Sequence, residues 1–314
     1  MSKAHLQNAL LLPPATPETC RNKAYAVIRH RGNFIEDFYW ERVNRSLGWL
    51  GNSLKEQIVR QEKLRDCVIG VAGTGGIGGA AALRLVRMGC LNLKIADVDN
   101  FDVSNIQRQV GADLSHIGHN KAEVVGEMAF NLTQDVNIDV FNQGITQESA
   151  DEFVDGCDVI LDQIDVYAVN AHYALHEAFR KSPRCKFILT VLTIGHAAFV
   201  FKYTHESMQI ETVYGIQRKE VLDDHEIRQL IHRIIPIQPN FPSKEMFDSW
   251  WVSNRRVSIY GGCPPLCEGV LVERVALEVM EIPGVTPLPI QPGYAILDVK
   301  NWTATSFSGQ WWNG

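Results

Sequence analysis

Apolar runs alternate with helical patterns through the middle of this 314-residue chain. Short runs rich in Val, Ile and Leu are typical of buried strands, and apolar residues three and four positions apart predict helices between them. The predicted strands are 67–72, 92–97, 136–141, 157–162 and 186–192, and the predicted helices are 77–89, 119–132, 147–154 and 166–180. Strands that alternate with helices predict an α/β fold, in which a doubly wound and mostly parallel sheet is covered on both faces.

The sequence before this region has a different pattern. Residues 1–20 are interpreted as a flexible lead. Apolar residues at helical spacing then predict two helices, at 35–47 and 53–65. We expect these two helices to form an N-terminal helical arm beside the sheet.

The sequence after the alternating region predicts an antiparallel and helical extension. A strand at 197–203 continues the sheet at its far side, and the less regular stretch 205–262 is interpreted as a lid or insertion. A long helix at 265–280 and a strand near 294–299 follow it. The predicted divisions are a tail and helical arm at 1–66, a nucleotide-binding core at 67–204, and a lid, closing helix and tail at 205–314 that complete the same domain.

Composition and charge narrow the classes of function. With 46% hydrophobic residues the chain can bury a packed core, and its net charge of −6 gives no bulk attraction to nucleic acid or to an anionic membrane. The apolar run at residues 9–12 is too short for a signal peptide or a membrane span. Seven scattered cysteines, an odd number, favour reduced thiols over a disulfide framework. We therefore expect a cytoplasmic protein with no nucleic-acid or membrane partner.

A glycine-rich loop follows the first predicted strand of the sheet. Such a loop lets a strand turn tightly into a helix whose N-terminal amides bind phosphate. Asp97 ends the next predicted strand, where a carboxylate can accept a hydrogen bond from a ribose hydroxyl. Together they predict a nucleotide site in a Rossmann-like fold. The glycines of the loop are Gly73, Gly75, Gly76 and Gly78.

Cationic and amide side chains follow the glycine loop and argue against a plain NAD site. Arg108 and Lys121 can neutralise phosphate oxygens, and Asn105 precedes Arg108 in the same segment. Asp165, with Asp99 as a second candidate, is placed to hold magnesium, which takes one or two protein carboxylates besides substrate phosphates. Hydride transfer has no need of two such cations. The set therefore predicts attack on a nucleotide phosphate.

The order of these motifs resembles the superfamily of ThiF, MoeB, HesA and the ubiquitin-activating enzymes, which adenylate a carboxylate with ATP. The superfamily pattern is an Arg-x-x-Arg helix, a Gly-x-Gly-Gly-x-Gly loop, an Asp-x-Asp, a Ser-Asn-x-x-Arg-Gln, a Lys and a late Asp. The resemblance covers about residues 42–200. The pattern is met in order at Arg42 and Arg45, Gly73 to Gly78, Asp97 and Asp99, Ser104 to Gln109, Lys121, and Asp165.

The resemblance implies a role for each of these residues. Asp97 would hold the ribose of ATP, and Asp165 would hold Mg²⁺. Arg45 would reach into the site of the partner subunit, because members of the superfamily work as dimers or pseudo-dimers. The implied catalytic residues are Arg45, Arg108, Lys121 and Asp165, and the implied nucleotide-binding residues are the four loop glycines, Asp97, Asp99, Asn105, Arg108, Gln109 and Lys121.

The chain departs from the superfamily in its cysteines. Many members bind zinc through two Cys-x-x-Cys pairs, a spacing that this sequence does not contain, so we expect no zinc site. Cys263, at the start of a predicted helix, is a candidate acceptor of an activated acyl group, because the N-terminal field of a helix lowers a thiol pKa. A small buried residue that packs this helix is the interpretation we favour.

These departures favour a peptide-tailoring enzyme over ordinary sulfur-carrier activation. The substrate would be the carboxylate of a ribosomal precursor peptide, as the resemblance to offshoots in microcin-type and pantocin-type antibiotic biosynthesis implies. One alternative is activation of the C-terminus of a ubiquitin-like or sulfur-carrier protein. Another is an inactive nucleotide-binding scaffold subunit, although such a subunit has no physical need for the whole set of cations and Asp165. NAD-dependent redox chemistry is the alternative that the sequence favours least.

Overall fold

The computed structural model describes residues 16–21 and 24–312 of the chain. Within these ranges the strands are β1 (Glu18–Arg21), β2 (Ala26–His30), β3 (Val68–Ala72), β4 (Asn92–Ala96), β5 (Asn137–Phe141), β6 (Val159–Asp162), β7 (Phe187–Ile194), β8 (Ala197–Tyr203), β9 (Tyr294–Asp298) and β10 (Thr303–Phe307). The helices are α1 (Glu36–Leu47), α2 (Leu54–Asp66), α3 (Gly78–Met88), α4 (Lys121–Asn131), α5 (Ala150–Val154), α6 (Val169–Lys181), α7 (Ile210–Tyr214), α8 (Asp224–Ile234), α9 (Lys244–Asp248) and α10 (Cys263–Val279). A 3₁₀ turn lies at Val103–Asn105 and a π-helical turn at Ser249–Ser253.

All the described strands belong to one sheet, in the order β1-β2-β5-β4-β3-β6-β7-β8-β9-β10. The central strands β5, β4, β3, β6 and β7 are parallel, and antiparallel strands extend the sheet at both ends. The chain enters the parallel part at β3, builds outward through β4 and β5, and then crosses to β6 and β7 on the other side. This confirms the predicted α/β fold with its doubly wound, Rossmann-like sheet. Folds of this kind bind ligands where the strand order reverses, at the carboxyl ends of the strands.

Side chains of the central strands face two separate hydrophobic cores. Ile69 and Val71 of β3 pack into the core shared with α1, α2, α3, α4 and α10. Ile160 of the neighbouring strand β6 packs into the core of the opposite face, which includes residues of α5, α6, α7 and α8. Because successive strand residues point to opposite faces, burial of both faces produces the continuous apolar runs that predicted these strands.

The N-terminal region differs from the predicted flexible lead. Residues 1–15 of that lead lie outside the described residues, but the structure places residues 18–21 in β1, which pairs with β2 in a hairpin. β2 in turn pairs with β5, so the hairpin extends the edge of the sheet. The four residues of β1 are mostly exposed and polar, and main-chain pairing rather than an apolar pattern holds them in place. The two predicted arm helices are present as α1 and α2.

The C-terminal region completes the sheet and packs on both of its faces, with α10 on one face and α7 and α8 on the other. β8 is antiparallel to β7 and spans the predicted residues 197–203, and β9 pairs with β8. β10, a fully exposed strand, was not predicted. None of the helices in the described ranges is long and apolar enough to cross a membrane.

Candidate functional site

A cavity of about 910 Å³ lies at the carboxyl ends of β3, β4 and β6. Residues that are far apart in sequence meet there, because parallel strands end at the same edge of a sheet. Asp165 lies in the wall of the cavity, and so does every residue predicted to bind the nucleotide. These are Gly73, Gly75, Gly76, Gly78, Asp97, Asp99, Asn105, Arg108, Gln109 and Lys121.

The glycine loop connects β3 to the N-terminus of α3. Gly73 has φ +95°, and a Cβ atom placed on it would lie 2.2 Å from the carbonyl oxygen of Gln163. A Cβ atom on Gly78 would lie 1.9 Å from the carbonyl oxygen of Gly73. Both positions therefore need glycine for the turn itself. At Gly75 the nearest atom to an added Cβ is Gln109 Nε2 at 3.8 Å, so the fold leaves room for a side chain there.

Asp97 fixes the glycine loop against the end of β4. Its Oδ2 accepts hydrogen bonds from the Thr74 backbone N–H at 2.7 Å and from the Thr74 hydroxyl at 3.2 Å. Its Oδ1 accepts from the Asp99 backbone N–H at 2.9 Å. Burial raises the pKa of Asp97, and the nearby charge of Lys121 opposes this shift. Asp97 thus holds the loop in shape, and its carboxylate lies in the cavity wall where a ribose would be recognised.

Lys121 begins α4 and is held by the segment that follows β4. Its ammonium group donates to Asp99 Oδ2 at 2.9 Å, and its backbone N–H donates to the Asp99 carbonyl at 2.9 Å. The preceding residue, Asn120, caps the helix by accepting from the Glu123 backbone N–H. The Lys121 side chain is largely buried whereas Asp99 is 61% exposed. A cation in this position can remain in place and exchange the Asp99 carboxylate for a phosphate oxygen.

The segment of Ser104 to Gln109 forms a compact turn on another side of the cavity. Asn105 Oδ1 accepts from the Asp102 backbone N–H at 3.1 Å, which closes the 3₁₀ turn. The Arg108 guanidinium donates to the Ser104 carbonyl at 2.9 Å. Gln109 is buried, and within the described residues its Oε1 has no hydrogen-bond partner. A buried amide oxygen without a partner beside a cavity indicates that a ligand or water completes its hydrogen bonding.

Asp165 lies just after β6 and is exposed to the cavity. Its Oδ1 accepts from the Tyr167 backbone N–H at 2.9 Å, which fixes the direction of the carboxylate. The second carboxylate oxygen has no hydrogen-bond partner among the described residues. One exposed carboxylate is the donor set that a magnesium ion bound to phosphates requires from a protein.

A buried ion cluster supports the loop that carries Asp165. Asp162 Oδ2 lies 2.8 Å from His172 Nδ1 and 3.2 Å from His176 Nε2, and all three side chains are buried. Burial by itself raises the pKa of Asp162, but the charge of His172 and the hydrogen bonds outweigh it, so this pKa lies well below its usual range. Burial likewise lowers the pKa of His172, and the charge of Asp162 reverses the sign, so that pKa is raised. Asp162 Oδ1 also accepts from the Ile164 backbone N–H at 3.2 Å, so Asp162 positions the loop that follows β6.

Arg45 is not part of the cavity of its own chain. It lies on α1, is exposed, and makes no ion pair with any residue that the structure describes. Arg42, one turn earlier, instead bonds Asp135 at 3.1 Å and the Val86 carbonyl at 2.7 Å, which ties the arm to α3 and to the segment before β5. The predicted role of Arg45 in a partner subunit stays a prediction.

The lid contributes cavity residues that no sequence motif indicated. Arg255 and Arg256 lie in the cavity wall, beyond the π-helical turn, together with Val257 and Ile259. Two consecutive arginines beside a Trp-Trp pair were visible in the sequence. Nothing in their spacing showed that the lid would bring them to the ends of the central strands.

Cys263 is buried, with 3% of its surface exposed, as the packing interpretation predicts. It lies in the first turn of α10, next to Pro264 of the cavity wall, and contacts the Ala197 carbonyl through its thiol. A hydrogen bond from Cys267 lowers the pKa of Cys263 to about 7, against the effect of burial. All seven cysteines lie within the described residues and none forms a disulfide.

Three curated relatives match about a third of the chain. The sulfur carrier protein ThiS adenylyltransferase of Escherichia coli is 34% identical over 105 residues, which are 33% of this chain and 42% of that protein. The tRNA threonylcarbamoyladenosine dehydratase of Bacillus subtilis is 29% identical over 112 residues, 35% of this chain and 44% of that protein. SUMO-activating enzyme subunit 2 of Dictyostelium discoideum is 32% identical over 112 residues, 35% of this chain and 17% of that protein. The chain therefore spans less than half the length of these curated relatives.

Solved structures match nearly the whole chain at low identity. The crystal structure of PaaA has a TM-score of 0.61 at 16% identity and covers 97% of this chain and 80% of its own. The structure of E. coli MccB with ATP has a TM-score of 0.60 at 13% identity and covers 94% of this chain and 95% of its own. At these identities the likeness shows the fold alone. The sequence profile of the ThiF family matches residues 45–237, more than half of the 314 residues, and the chain belongs to the ThiF family.

Proposed function

We propose that the protein is an ATP-dependent adenylyltransferase that converts a substrate carboxylate into an acyl adenylate. The observation that carries this proposal is the convergence of the glycine loop, Arg108, Lys121 and Asp165 on one cavity. Membership of the ThiF family supports it, and the E. coli relative is itself named an adenylyltransferase.

In the proposed reaction a carboxylate oxygen of the substrate attacks the α-phosphorus of ATP. A bond forms between these two atoms, the bond from the α-phosphorus to the bridging oxygen of the β-phosphate breaks, and pyrophosphate leaves with the electron pair. A carboxylate is already ionised near neutral pH, so no general base is needed. Arg108 and Lys121 hold the triphosphate and stabilise the negative charge that builds on its oxygens.

Asp165 is the residue that we assign to magnesium, with Asp99 as a second carboxylate on the same cavity. The described residues contain no group of three or more His, Cys, Asp or Glu that would hold a metal by themselves. This composition suits magnesium, which keeps most of its ligands from phosphates and water. Bound magnesium would neutralise part of the phosphate charge.

We propose that the carboxylate belongs to a ribosomal precursor peptide. The likeness to PaaA and MccB extends over nearly the whole chain, lid and tail included, whereas the curated relatives match about a third of it. MccB has also been crystallised with MccA. We place the reaction in the cytoplasm, which the seven free cysteines support.

Activation of a sulfur-carrier or ubiquitin-like C-terminus is the second candidate. The relatives named for ThiS and SUMO favour it, at 34% and 32% identity. The two candidates differ in what stimulates ATP–pyrophosphate exchange: a precursor peptide in the first case, and a carrier protein that ends in Gly-Gly in the second.

The activity itself is tested by ATP–pyrophosphate exchange with Arg108→Ala and Lys121→Ala. Each substitution removes a preorganised cation from the cavity, so we expect exchange to fall by roughly 10²- to 10³-fold. Lys63→Ala is the matched control, because Lys63 pairs with Glu281 on the surface, away from the cavity. Full exchange in both cavity variants would contradict the assignment. A wild-type protein that binds ATP but never exchanges pyrophosphate would favour an inactive scaffold subunit.

We also infer that two copies of the chain complete each other's sites. Arg45 is exposed on α1 and does not line the cavity of its own chain. Beside it, Trp49 is 91% exposed, and tryptophan is among the residues enriched at protein–protein interfaces. A homodimer would bring Arg45 to the cavity of the partner.

A further inference from the structure

The end of the lid is fixed against two walls of the cavity. The Tyr167 hydroxyl, beside Asp165, donates to the Trp251 carbonyl at 2.7 Å. The Arg256 backbone N–H donates to the Trp250 carbonyl at 3.0 Å. A few residues later the Gln107 side chain donates to the Ile259 carbonyl at 3.2 Å, which joins the lid to the turn that carries Arg108. The lid segment between these anchors therefore has a defined position over the cavity.

The two arginines of this segment differ in their partners. Arg255 has φ +48° and pairs with Asp224 at the start of α8, at 3.3 Å. Arg256 is exposed, lines the cavity, and makes no ion pair with any carboxylate in the described ranges. Other lid arginines, Arg218 and Arg228, pair with Glu177 and Asp248. Arg256 thus stands out as a lid cation that faces the cavity with no carboxylate at ion-pair distance in the described ranges, although the Asp102 carboxylate of the same wall interacts with its charge from farther away.

Arg108, in the same cavity wall, likewise makes no close ion pair with a carboxylate among the described residues. Its side chain is hydrogen-bonded to the Ser104 carbonyl. Both guanidinium groups line the same cavity, and the hydrogen bond from Gln107 to the Ile259 carbonyl joins the segments that carry them. Burial lowers the pKa of Arg108, Asp102 opposes this shift, and the charge of Arg256 lowers the pKa further. Two cations held close together by the fold create a site for an anion with more than one charge.

We propose that Arg256 binds the β- and γ-phosphates of ATP together with Arg108, so that the lid holds the pyrophosphate that leaves. This inference rests on the proposed function. Asp97 and the glycine loop take the ribose and the α-phosphate, which leaves the outer phosphates for the cations on the side of the lid. Guanidinium groups suit this task because their planar fork can bind two oxygens of a phosphate at once.

The test is a comparison of nucleotide affinities by isothermal titration calorimetry with Arg256→Gln. We expect its affinity for ATP and for pyrophosphate to fall roughly 10- to 100-fold, the effect of one lost charge-assisted contact, while its affinity for AMP stays unchanged. Arg256→Lys keeps the charge but loses the fork, so its affinity for ATP should lie between those of Arg256→Gln and the wild type. Arg228→Gln, a lid variant outside the cavity wall, should bind all three ligands normally.

The outcomes separate this inference from the proposed function. A wild-type protein that binds none of the three ligands would overturn the proposed function and the inference with it. If the wild type binds ATP and Arg256→Gln binds it equally well, the inference alone is overturned. An equal loss of affinity for AMP and ATP would also overturn it, because Arg256 would then act on the nucleoside end or on the fold. Thermal unfolding of each variant reports whether the fold is intact.

Discussion

The glycines of the loop have different roles, and the space around each one shows which role it has. Gly73 and Gly78 have no room for a side chain, because an added Cβ atom would meet backbone carbonyl oxygens. These glycines are needed for the turn. Gly75 has room for a Cβ atom toward the cavity, so its glycine is not explained by the fold. Under the proposed function, the close approach of a phosphate to the loop would explain it.

Gly75→Ala should therefore fold normally and bind ATP poorly. We expect a loss of roughly 1.5 to 3 kcal/mol in binding free energy, the effect of one charge-assisted hydrogen bond held at a longer distance. Thermal unfolding and titration with ATP measure the two properties. Gly78→Ala is the contrasting variant, since the clash of its Cβ atom with the Gly73 carbonyl should lower the thermal stability of the fold itself. Wild-type affinity for ATP in Gly75→Ala would show that no ligand approaches the loop at this point.

At the scale of elements, the buried cluster of Asp162, His172 and His176 joins α6 to the end of β6, and it makes stability depend on pH. The raised pKa of His172 means that its contribution is fully present below the usual value of 6.5 and is lost as pH rises through the pKa of the folded state. Burial lowers the pKa of His176, so its contribution has the opposite sign and is lost as pH falls below 6.5. The low pKa of Asp162 keeps that group charged throughout this range.

The prediction is tested by urea unfolding of His172→Gln and His176→Gln at pH 5.5 and pH 8.5. His172→Gln should cost roughly 3 to 5 kcal/mol at the lower pH, as expected when one partner of a buried pair is removed, and less at the higher pH. His176→Gln should show the reverse trend. Tyr203 and Tyr214, whose rings contact these histidines, stay neutral because burial raises their pKa values. Parallel pH profiles of the two variants would contradict the assignment of charge.

The elements also show which parts of the fold a sequence pattern can predict. The parallel core was predictable because strands buried on two faces are continuous apolar runs between helices of regular period. β1 and β10 were not, since they are short, exposed and held by main-chain pairing to a neighbour. The sequence predicted the bounds of the lid. Its path over the cavity depends on tertiary contacts such as the hydrogen bond from Tyr167 to the Trp251 carbonyl, which no sequence pattern indicates.

At the scale of the whole molecule, the candidate site was predictable to the extent that topology determines it. Asp97 and Asp165 follow parallel strands and meet at one edge of the sheet, so their convergence follows from the strand order. Arg255 and Arg256 reach the same cavity from the lid, and the strand order does not determine where a lid segment lies. The histidine partners of Asp162 were missed for a related reason, because His172 and His176 lie in a segment predicted only as a helix and are buried only once α6 packs on the sheet.

The arrangement of the whole molecule also makes the dimer testable. If Arg45 acts in the partner's cavity, Arg45→Ala and Lys121→Ala should each lower exchange by roughly 10²- to 10³-fold, and a mixture of the two should recover part of it. In a mixed dimer one site combines an intact Lys121 with an intact Arg45 from the other chain, whereas neither variant alone contains such a site. Trp49→Ala should weaken the dimer and lower exchange at dilute protein, since removal of a large aromatic anchor from an interface costs about 2 kcal/mol or more. Analytical ultracentrifugation reports the oligomeric state of each sample. A mixture that stays inactive while its subunits exchange, or an active monomer, would mean that each chain completes its own site and that Arg45 has another role.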